Sequence, residues 1–329
     1  MDARHTSPRT RARRTLVLVL AATLLGAPLA GCAALRVESG ERTTPSAGAL
    51  EQARQRQAVA ARDIARAATD AARRAVDPVS TTLRAVSSAS DRHLTELGGV
   101  WVPFPSDSAA TGPGDEAQVS PADVVERLVA ASASAEADAA TAVDGRLARL
   151  LASIGVSRRL LAVHLASAAG LTTPDSRPAV GPDQVPAGLS APALVPAIVS
   201  EDALGLAWEV EAARTDGSPR TAAAAIAADH RSRAQAWAEV AGLAGTADDP
   251  RRASYDLPAA LLAVSSTAAD RSAALERLET ALGALWLDLA SRTAPGARLP
   301  LLDAFALAAE RAASLTGSVP DLPGMPDAG

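Results

Sequence analysis

Apolar side chains recur along the chain at the spacing of amphipathic helices. Alanine and leucine return every three or four residues between arginine, aspartate and glutamate, and no segment alternates apolar and polar residues for long. The clearest stripe runs through residues 145–169, at Leu147, Leu150, Leu151, Ile154, Leu161 and Leu165. This pattern predicts an all-α protein.

Proline and glycine divide the pattern into eight predicted helices. They cover about residues 49–76, 78–97, 121–143, 145–169, 195–215, 219–241, 258–291 and 300–316. Asp77-Pro78 separates the first two, because proline suits a first helical turn and disfavours helix in the residue before it. Ser120-Pro121 supplies an N-cap serine and a first-turn proline for the third helix.

Segments rich in proline and glycine predict the domain organisation. Residues 171–195 contain five prolines in 25 positions and predict a linker between two helical bundles. We expect the first bundle at residues 49–170 and the second at residues 196–316. Residues 317–329 have too much proline and glycine for a helix and predict a flexible tail.

The N-terminal 31 residues have the pattern of a secretory signal peptide. Five arginines lie within residues 1–14, and the apolar run 15–30 follows them. That run is shorter than the roughly 17 to 25 residues of a spanning helix. Leu29-Ala30-Gly31-Cys32 resembles the lipobox of bacterial lipoproteins. The alternative is a cysteine buried in an apolar helix, which the order of charge, apolar run and small residues disfavours.

The lipobox resemblance implies cleavage between Gly31 and Cys32 and a diacylglyceryl group on Cys32. Two acyl chains give stable membrane attachment where a single chain is marginal. Residues 32–48 would then tether the bundles to the outer face of the cell membrane. Cys32 is the one cysteine of the chain, so no disulfide can form within it.

The charge balance argues against nucleic acid as a partner. The chain has a formal net charge of −5, and residues 1–31 carry five arginines and one aspartate. Removing that net charge of +4 leaves −9 on the mature chain. Nucleic-acid-binding domains are usually basic, so this class is disfavoured.

Four stretches of the C-terminal half resemble a known family. They are "EDALGLAWEVEAAR", "AADHRSRAQAWAEVAG", "SYDLP" and "ERLETALGALWLDL", between residues 201 and 289. Together they resemble the ferritin-like DUF4439-type domain of actinobacterial lipoproteins. The resemblance implies a ferritin-like four-helix bundle in the C-terminal half and a second helical bundle before it, with no known activity.

Ferritin-like proteins often hold two metal ions through paired Glu-x-x-His motifs. We find no such motif, since the residues three positions before His93, His164 and His230 are not glutamate. A standard di-metal centre and a cofactor are therefore not expected. His93 and His164 lie at the edges of their stripes, where a boundary histidine is more common than a ligand.

Helical angles nevertheless direct Glu211, His230 and Glu279 towards one core. Two interpretations stay open for them. The favoured one is mutual pairing, or pairing with arginines, because buried charges need compensation. The other is a degenerate metal site. The candidate arginines are Arg231, Arg233 and Arg277, and the flanking acids are Glu209, Asp229 and Glu276.

Other recognisable chemistry is absent from the sequence. It has no Gly-x-Ser-x-Gly elbow, no phosphate-binding glycine loop and no Cys/His metal spacing. We therefore expect a non-catalytic, lipid-anchored binding or interaction module of the cell envelope, with an unidentified envelope protein as a possible partner. The alternative is a metal-binding ferritin-like protein.

Overall fold

The structure is a computed structural model. It describes residues 48–101, 118–175 and 181–326, and these belong to one compact unit. Gly31 and Cys32 lie outside the described residues. The predicted anchor and cleavage site thus stay predictions.

The described residues are helical, with no strand among them, which confirms the all-α fold class. The helices are α1 Ala49–Ala72, α2 Val79–Glu96, α3 Pro121–Thr141, α4 Gly145–Ala168, α5 Ala191–Ala213, α6 Gly217–Val240, α7 Ala259–Leu262, α8 Ala268–Arg292 and α9 Leu299–Thr316.

Capping explains where two of these helices begin. The predicted start of α3 is confirmed, because Ser120 and Asp123 form a reciprocal capping box. The prediction of one helix over residues 258–291 is wrong. The chain makes the single turn α7, leaves the helical path and starts α8 where Thr267 and Asp270 form a second capping box. This box satisfies amide groups at a new helix start and so favours the interruption.

The helices pack as two groups. Helices α1 to α4 form the N-terminal bundle, and α5, α6, α8 and α9 form the C-terminal bundle. Helix α4 also packs against α8 and α9, so one hydrophobic core extends from α4 into the C-terminal bundle. The proposed division at residues 171–195 stays a prediction.

Helix α4 is long and apolar enough to cross a membrane by length and composition alone. In the structure, however, 72% of its apolar window is buried inside the protein. Its neighbours are α2, α3, α8 and α9. The strong stripe seen in the sequence is therefore explained by burial on several sides.

Residues 317–326, here called the C-terminal strap, lie against the N-terminal bundle. The carbonyl oxygen of Asp321 lies 2.7 Å from Nε2 of His93 on α2. The carbonyl oxygen of Pro323 accepts a hydrogen bond of 2.8 Å from Ser153 on α4. This part of the predicted flexible tail is thus held in place, because tertiary hydrogen bonds replace the helical ones that its composition prevents.

Gly324 marks the closest approach of the strap to the core. It has a φ of 72°, and an added Cβ would lie 2.9 Å from the Phe305 ring and 3.0 Å from Leu287. Its carbonyl oxygen accepts a hydrogen bond of 3.1 Å from Arg149. Both the backbone conformation and the available space therefore require glycine here.

Candidate functional site

His230 on α6 lies at the centre of the C-terminal bundle between two carboxylates. Its Nδ1 is 2.6 Å from Oε2 of Glu201 on α5, and its Nε2 is 2.9 Å from Oε1 of Glu279 on α8. All three residues have no solvent exposure. The bundle thus brings together groups that are 29 and 49 residues apart in the chain.

Two arginines complete this group. Arg233 donates to both oxygens of Glu201, at 3.1 and 3.2 Å, and lies 2.9 Å from Nδ1 of His230. Arg311 on α9 reaches Nε2 of His230 at 3.1 Å. We call Glu201, His230, Arg233, Glu279 and Arg311 the central cluster. All four long helices of the C-terminal bundle contribute to it.

The central cluster compensates its own buried charge. Burial acts to raise the pKa of Glu201, but the hydrogen bond from His230 and the nearby Arg233 outweigh it and hold that pKa below its ordinary value. Burial lowers the pKa of Arg311, and Arg233 lowers it further. Carboxylates and guanidinium groups thus supply the opposite charges that a buried ion needs.

Tryptophan side chains support the two carboxylates. Trp208 donates from Nε1 to Glu279 Oε1 at 2.8 Å, and Trp286 donates to Glu201 Oε1 at 3.1 Å. The rings of Trp237 and Trp286 lie with centroids 4.9 Å apart. Trp208, Trp237 and Trp286 are core residues, and two of them also bind the cluster.

Of the three candidate residues, the structure brings His230 and Glu279 together but not Glu211. Glu211 pairs instead with Arg271 on α8 at 2.7 Å. It follows Glu201 by ten residues, which is about 15 Å along the helix. Arg233 takes part in the pairing that we expected, whereas Arg277 is exposed.

Glu201 is the functional candidate that sequence reasoning missed. It stands three and seven residues before Leu204 and Trp208, on the same buried stripe of α5. That spacing is a signal that could have identified it.

Asp202, the residue next to Glu201, anchors a second polar group. It accepts hydrogen bonds from Arg231 at 2.6 Å and from the Tyr255 hydroxyl at 2.7 Å. Burial and this bond to Asp202 raise the pKa of Tyr255 to about 12. The tyrosine therefore stays neutral and fixes the loop before α7. The flanking Glu209 also pairs with Arg231, at 3.2 Å.

The central cluster does not fit a metal ion. Metal ligands need free lone pairs, whereas N–H groups of Trp208, Trp286, Arg233 and Arg311 already approach Glu279 Oε1, both oxygens of Glu201 and Nε2 of His230. The guanidinium groups also add positive charge next to the site. Within the described ranges, no group of three or more His, Cys, Asp or Glu side chains is arranged to hold a metal.

The N-terminal bundle buries a different polar group around Arg158 on α4. Its Nη2 donates to the backbone carbonyl of Gln57 on α1 at 3.0 Å, and Gln57 donates to Asp138 on α3 at 2.8 Å. Burial lowers the pKa of Arg158 to about 10. The pKa of His93 on α2 is lowered to about 3, by burial first and then by the charge of Arg158.

Several side-chain atoms on α2 and α4 are buried without a hydrogen-bond partner. They are Ser90 Oγ, His93 Nδ1, Ser157 Oγ and Arg158 Nε. His164, the third histidine considered above, is exposed on α4 and belongs to neither polar group.

The C-terminal bundle is similar to one known family of domains. Residues 193–327 match the family model described as "Domain of unknown function (DUF4439)". The match extends from α5 to the strap and includes the whole central cluster, whereas the N-terminal bundle lies outside it. Searches of the curated proteins and of the solved structures returned no match.

Proposed function

We propose that this protein is a non-catalytic binding or interaction module, held by a lipid at the extracytoplasmic face of the cell membrane. The observation that carries the non-catalytic part is the closure of the central cluster. Glu201, His230 and Glu279 have no solvent exposure, and both ring nitrogens of His230 contact neighbouring side chains. A general acid or base must come within hydrogen-bond reach of its substrate.

The sequence supports the anchor. A basic head, an apolar run and Leu29-Ala30-Gly31-Cys32 follow one another in the order of a lipoprotein signal. We propose that lipid on Cys32 holds the protein and that the bundles present their outer surfaces to envelope components. The actinobacterial origin suggested by the family resemblance belongs to the same proposal.

One observation favours the rival function, a metal-binding protein. Glu279 Oε2 is buried and has no hydrogen-bond partner. A cation beside this oxygen would satisfy it, provided that Arg311 moved away. The rival thus predicts a bound ion that depends on Glu279.

Metal analysis of the full chain, purified in detergent, separates the two functions. We expect less than one iron, manganese or zinc ion per ten chains, and the same unfolding midpoint with and without chelator. Glu279→Gln keeps the shape of the side chain and serves as the control. Metal at about one ion per chain that disappears in Glu279→Gln would overturn our proposal in favour of the rival.

Fractionation of cells tests the anchor. Cys32→Ala should appear as an unprocessed precursor or leave the membrane fraction, since its side chain cannot accept the lipid. Cys32→Ala that remains in the membrane at the mature size of the unchanged chain would exclude the lipobox.

A further inference from the structure

An open cavity of about 650 Å³ lies on the N-terminal bundle, lined by α1, α2 and α3. A neighbouring cavity of about 490 Å³ shares Thr69, Arg73, Ser87 and Asp91 with it. The two form one continuous depression, which we call the arginine groove. Its cationic side chains are Arg62, Arg66, Arg73, Arg84 and Arg127.

Two of the carboxylates in the groove are already neutralised. Arg62 lies 2.8 Å from Asp63, and Arg73 lies 2.9 Å from Asp70. These ion pairs cancel the negative charge that would repel an anion. Asp91 is the remaining carboxylate of the lining.

Arg66 on α1 and Arg127 on α3 face the same cavity from different helices. Both are exposed, and neither has a direct ion pair or side-chain hydrogen bond among the described residues, although the charge of Arg127 contributes to lowering the pKa of nearby Asp123. Arg66 and Arg127 thus bring two guanidinium groups without a direct carboxylate partner among the described residues to one cavity.

The floor of the groove adds neutral polar groups. The hydroxyls of Thr69 on α1 and Ser87 on α2 are 2.9 Å apart, and Ser87 also lies 3.3 Å from the carbonyl oxygen of Ala65. These hydroxyls lie between the arginine-bearing helices. They give the groove further hydrogen-bonding atoms next to its cationic rim.

We propose that the arginine groove binds an oxyanion, a phosphate or a carboxylate group of an acidic ligand, between Arg66 and Arg127. A guanidinium group presents parallel N–H donors that match the oxygens of either group. The inference names a ligand class for the binding module proposed above and rests on that proposal. It does not depend on the anchor or on the central cluster.

Calorimetric titration of the full chain in detergent tests the inference, with inorganic pyrophosphate and citrate as separate probes. We expect at least one probe to bind at low ionic strength, and to bind more weakly as salt is added. Binding of pyrophosphate alone would assign the site to phosphate groups, and binding of citrate alone to carboxylates. No binding of either probe overturns the inference.

The double variant Arg66→Gln/Arg127→Gln should weaken binding by about tenfold or more, since each charge-assisted hydrogen bond contributes substantially. The matched control is Arg220→Gln/Arg292→Gln, which removes the same charge from exposed positions of the C-terminal bundle. The control should bind as the unchanged chain does. Equal weakening in both doubles would mean that only net charge matters, and would overturn the inference.

A second variant separates the site from folding. Arg66→Lys/Arg127→Lys keeps both charges but removes the planar pairs of donors. It should retain the unfolding midpoint and bind with an affinity between those of the unchanged chain and the glutamine variant. Binding by the lysine variant as tight as that of the unchanged chain would contradict recognition by guanidinium geometry. If these binding tests fail, the expected results of the metal analysis and of the cell fractionation do not change. The arginine groove and the proposed function can therefore be disproved independently.

Discussion

Each bundle buries one histidine on its second helix, and the two histidines have opposite surroundings. His230 lies between two carboxylates, whereas His93 contacts a backbone carbonyl and lies near a buried arginine. The first helix of each bundle contributes to the difference, because Glu201 on α5 contacts His230, whereas Gln57 on α1 binds Arg158. Both histidines are fully buried, so the charges on the facing helices, and not the depth of burial, are what differ between their surroundings.

The two polar groups follow the same helix order. A carboxylate or amide comes from the first long helix, histidine from the second, a carboxylate from the third and arginine from the fourth. The residues are Gln57, His93, Asp138 and Arg158 in one bundle, and Glu201, His230, Glu279 and Arg311 in the other. The comparison therefore concerns two similar arrangements: in one, carboxylates contact the histidine on both sides, and in the other the histidine has no carboxylate partner and Nδ1 of His93 is buried without a hydrogen bond.

The largest effect is expected from Glu201→Gln. It removes the charge that faces His230 and Arg233 in a fully buried site, and should lower the free energy of unfolding by about 3 to 5 kcal/mol. Urea unfolding measures this loss. Glu209→Gln is the control, because Glu209 is 48% exposed and its pair with Arg231 should contribute less than about 1 kcal/mol. A loss for Glu201→Gln as small as that of the control would show that the cluster is not held by charge.

The pH dependence of stability should report the burial of His93. The pKa of His93 is about 3 in the folded protein, against an ordinary value of 6.5. Between these values the unfolded chain binds a proton that the folded chain does not, so stability falls as the pH falls from 6.5 towards 3. The slope from His93 should approach about 1.4 kcal/mol per pH unit.

His93→Gln isolates this contribution, since its side-chain amide can still donate to the carbonyl of Asp321. Unfolding free energies between pH 6 and pH 4 should fall more steeply for the unchanged chain than for the variant, by about 2 to 3 kcal/mol over the interval. Parallel curves would mean that His93 becomes protonated inside the folded bundle.

A smaller effect is expected at the strap, which links the two bundles. Gly324→Ala adds a Cβ at 2.9 Å from Phe305 at a positive φ, and should cost about 1 to 2 kcal/mol of stability. Gly296→Ala is the control, because it has a similar φ of 83° but open space around its Cβ. Thermal unfolding should show a larger loss for Gly324→Ala, and equal losses would exclude the steric contact.

The smallest effect is expected from Glu211→Gln. This residue is a member of a partly buried ion pair with Arg271 and lies outside the central cluster. The substitution should cost about 1 kcal/mol in urea unfolding. A loss of unfolding free energy equal to that of Glu201→Gln would show that Glu211 contributes to the buried core of the C-terminal bundle as much as Glu201 does.

The sequence predicted the helices well, because their apolar stripes and caps are local signals. It also directed His230 and Glu279 towards one core, since each lies on the apolar line of its helix. It paired them with the wrong glutamate, because the choice between Glu201 and Glu211 depends on how far each lies along α5 relative to α6. The contacts of the strap could not be predicted either, since a segment rich in proline and glycine carries no periodic signal for its partner.

The contacts of the strap can form only after nearly all of the described chain has been synthesised. Asp321 and Pro323 follow their partners His93 and Ser153 by 228 and 170 residues. A ribosome therefore releases most of the chain before these polar groups in the N-terminal bundle meet their carbonyls, although domains often fold as they emerge. A chain that ends at residue 316 would leave Nε2 of His93 and the hydroxyl of Ser153 without these carbonyl partners, so residues 317–326 complete the hydrogen bonding of the N-terminal bundle.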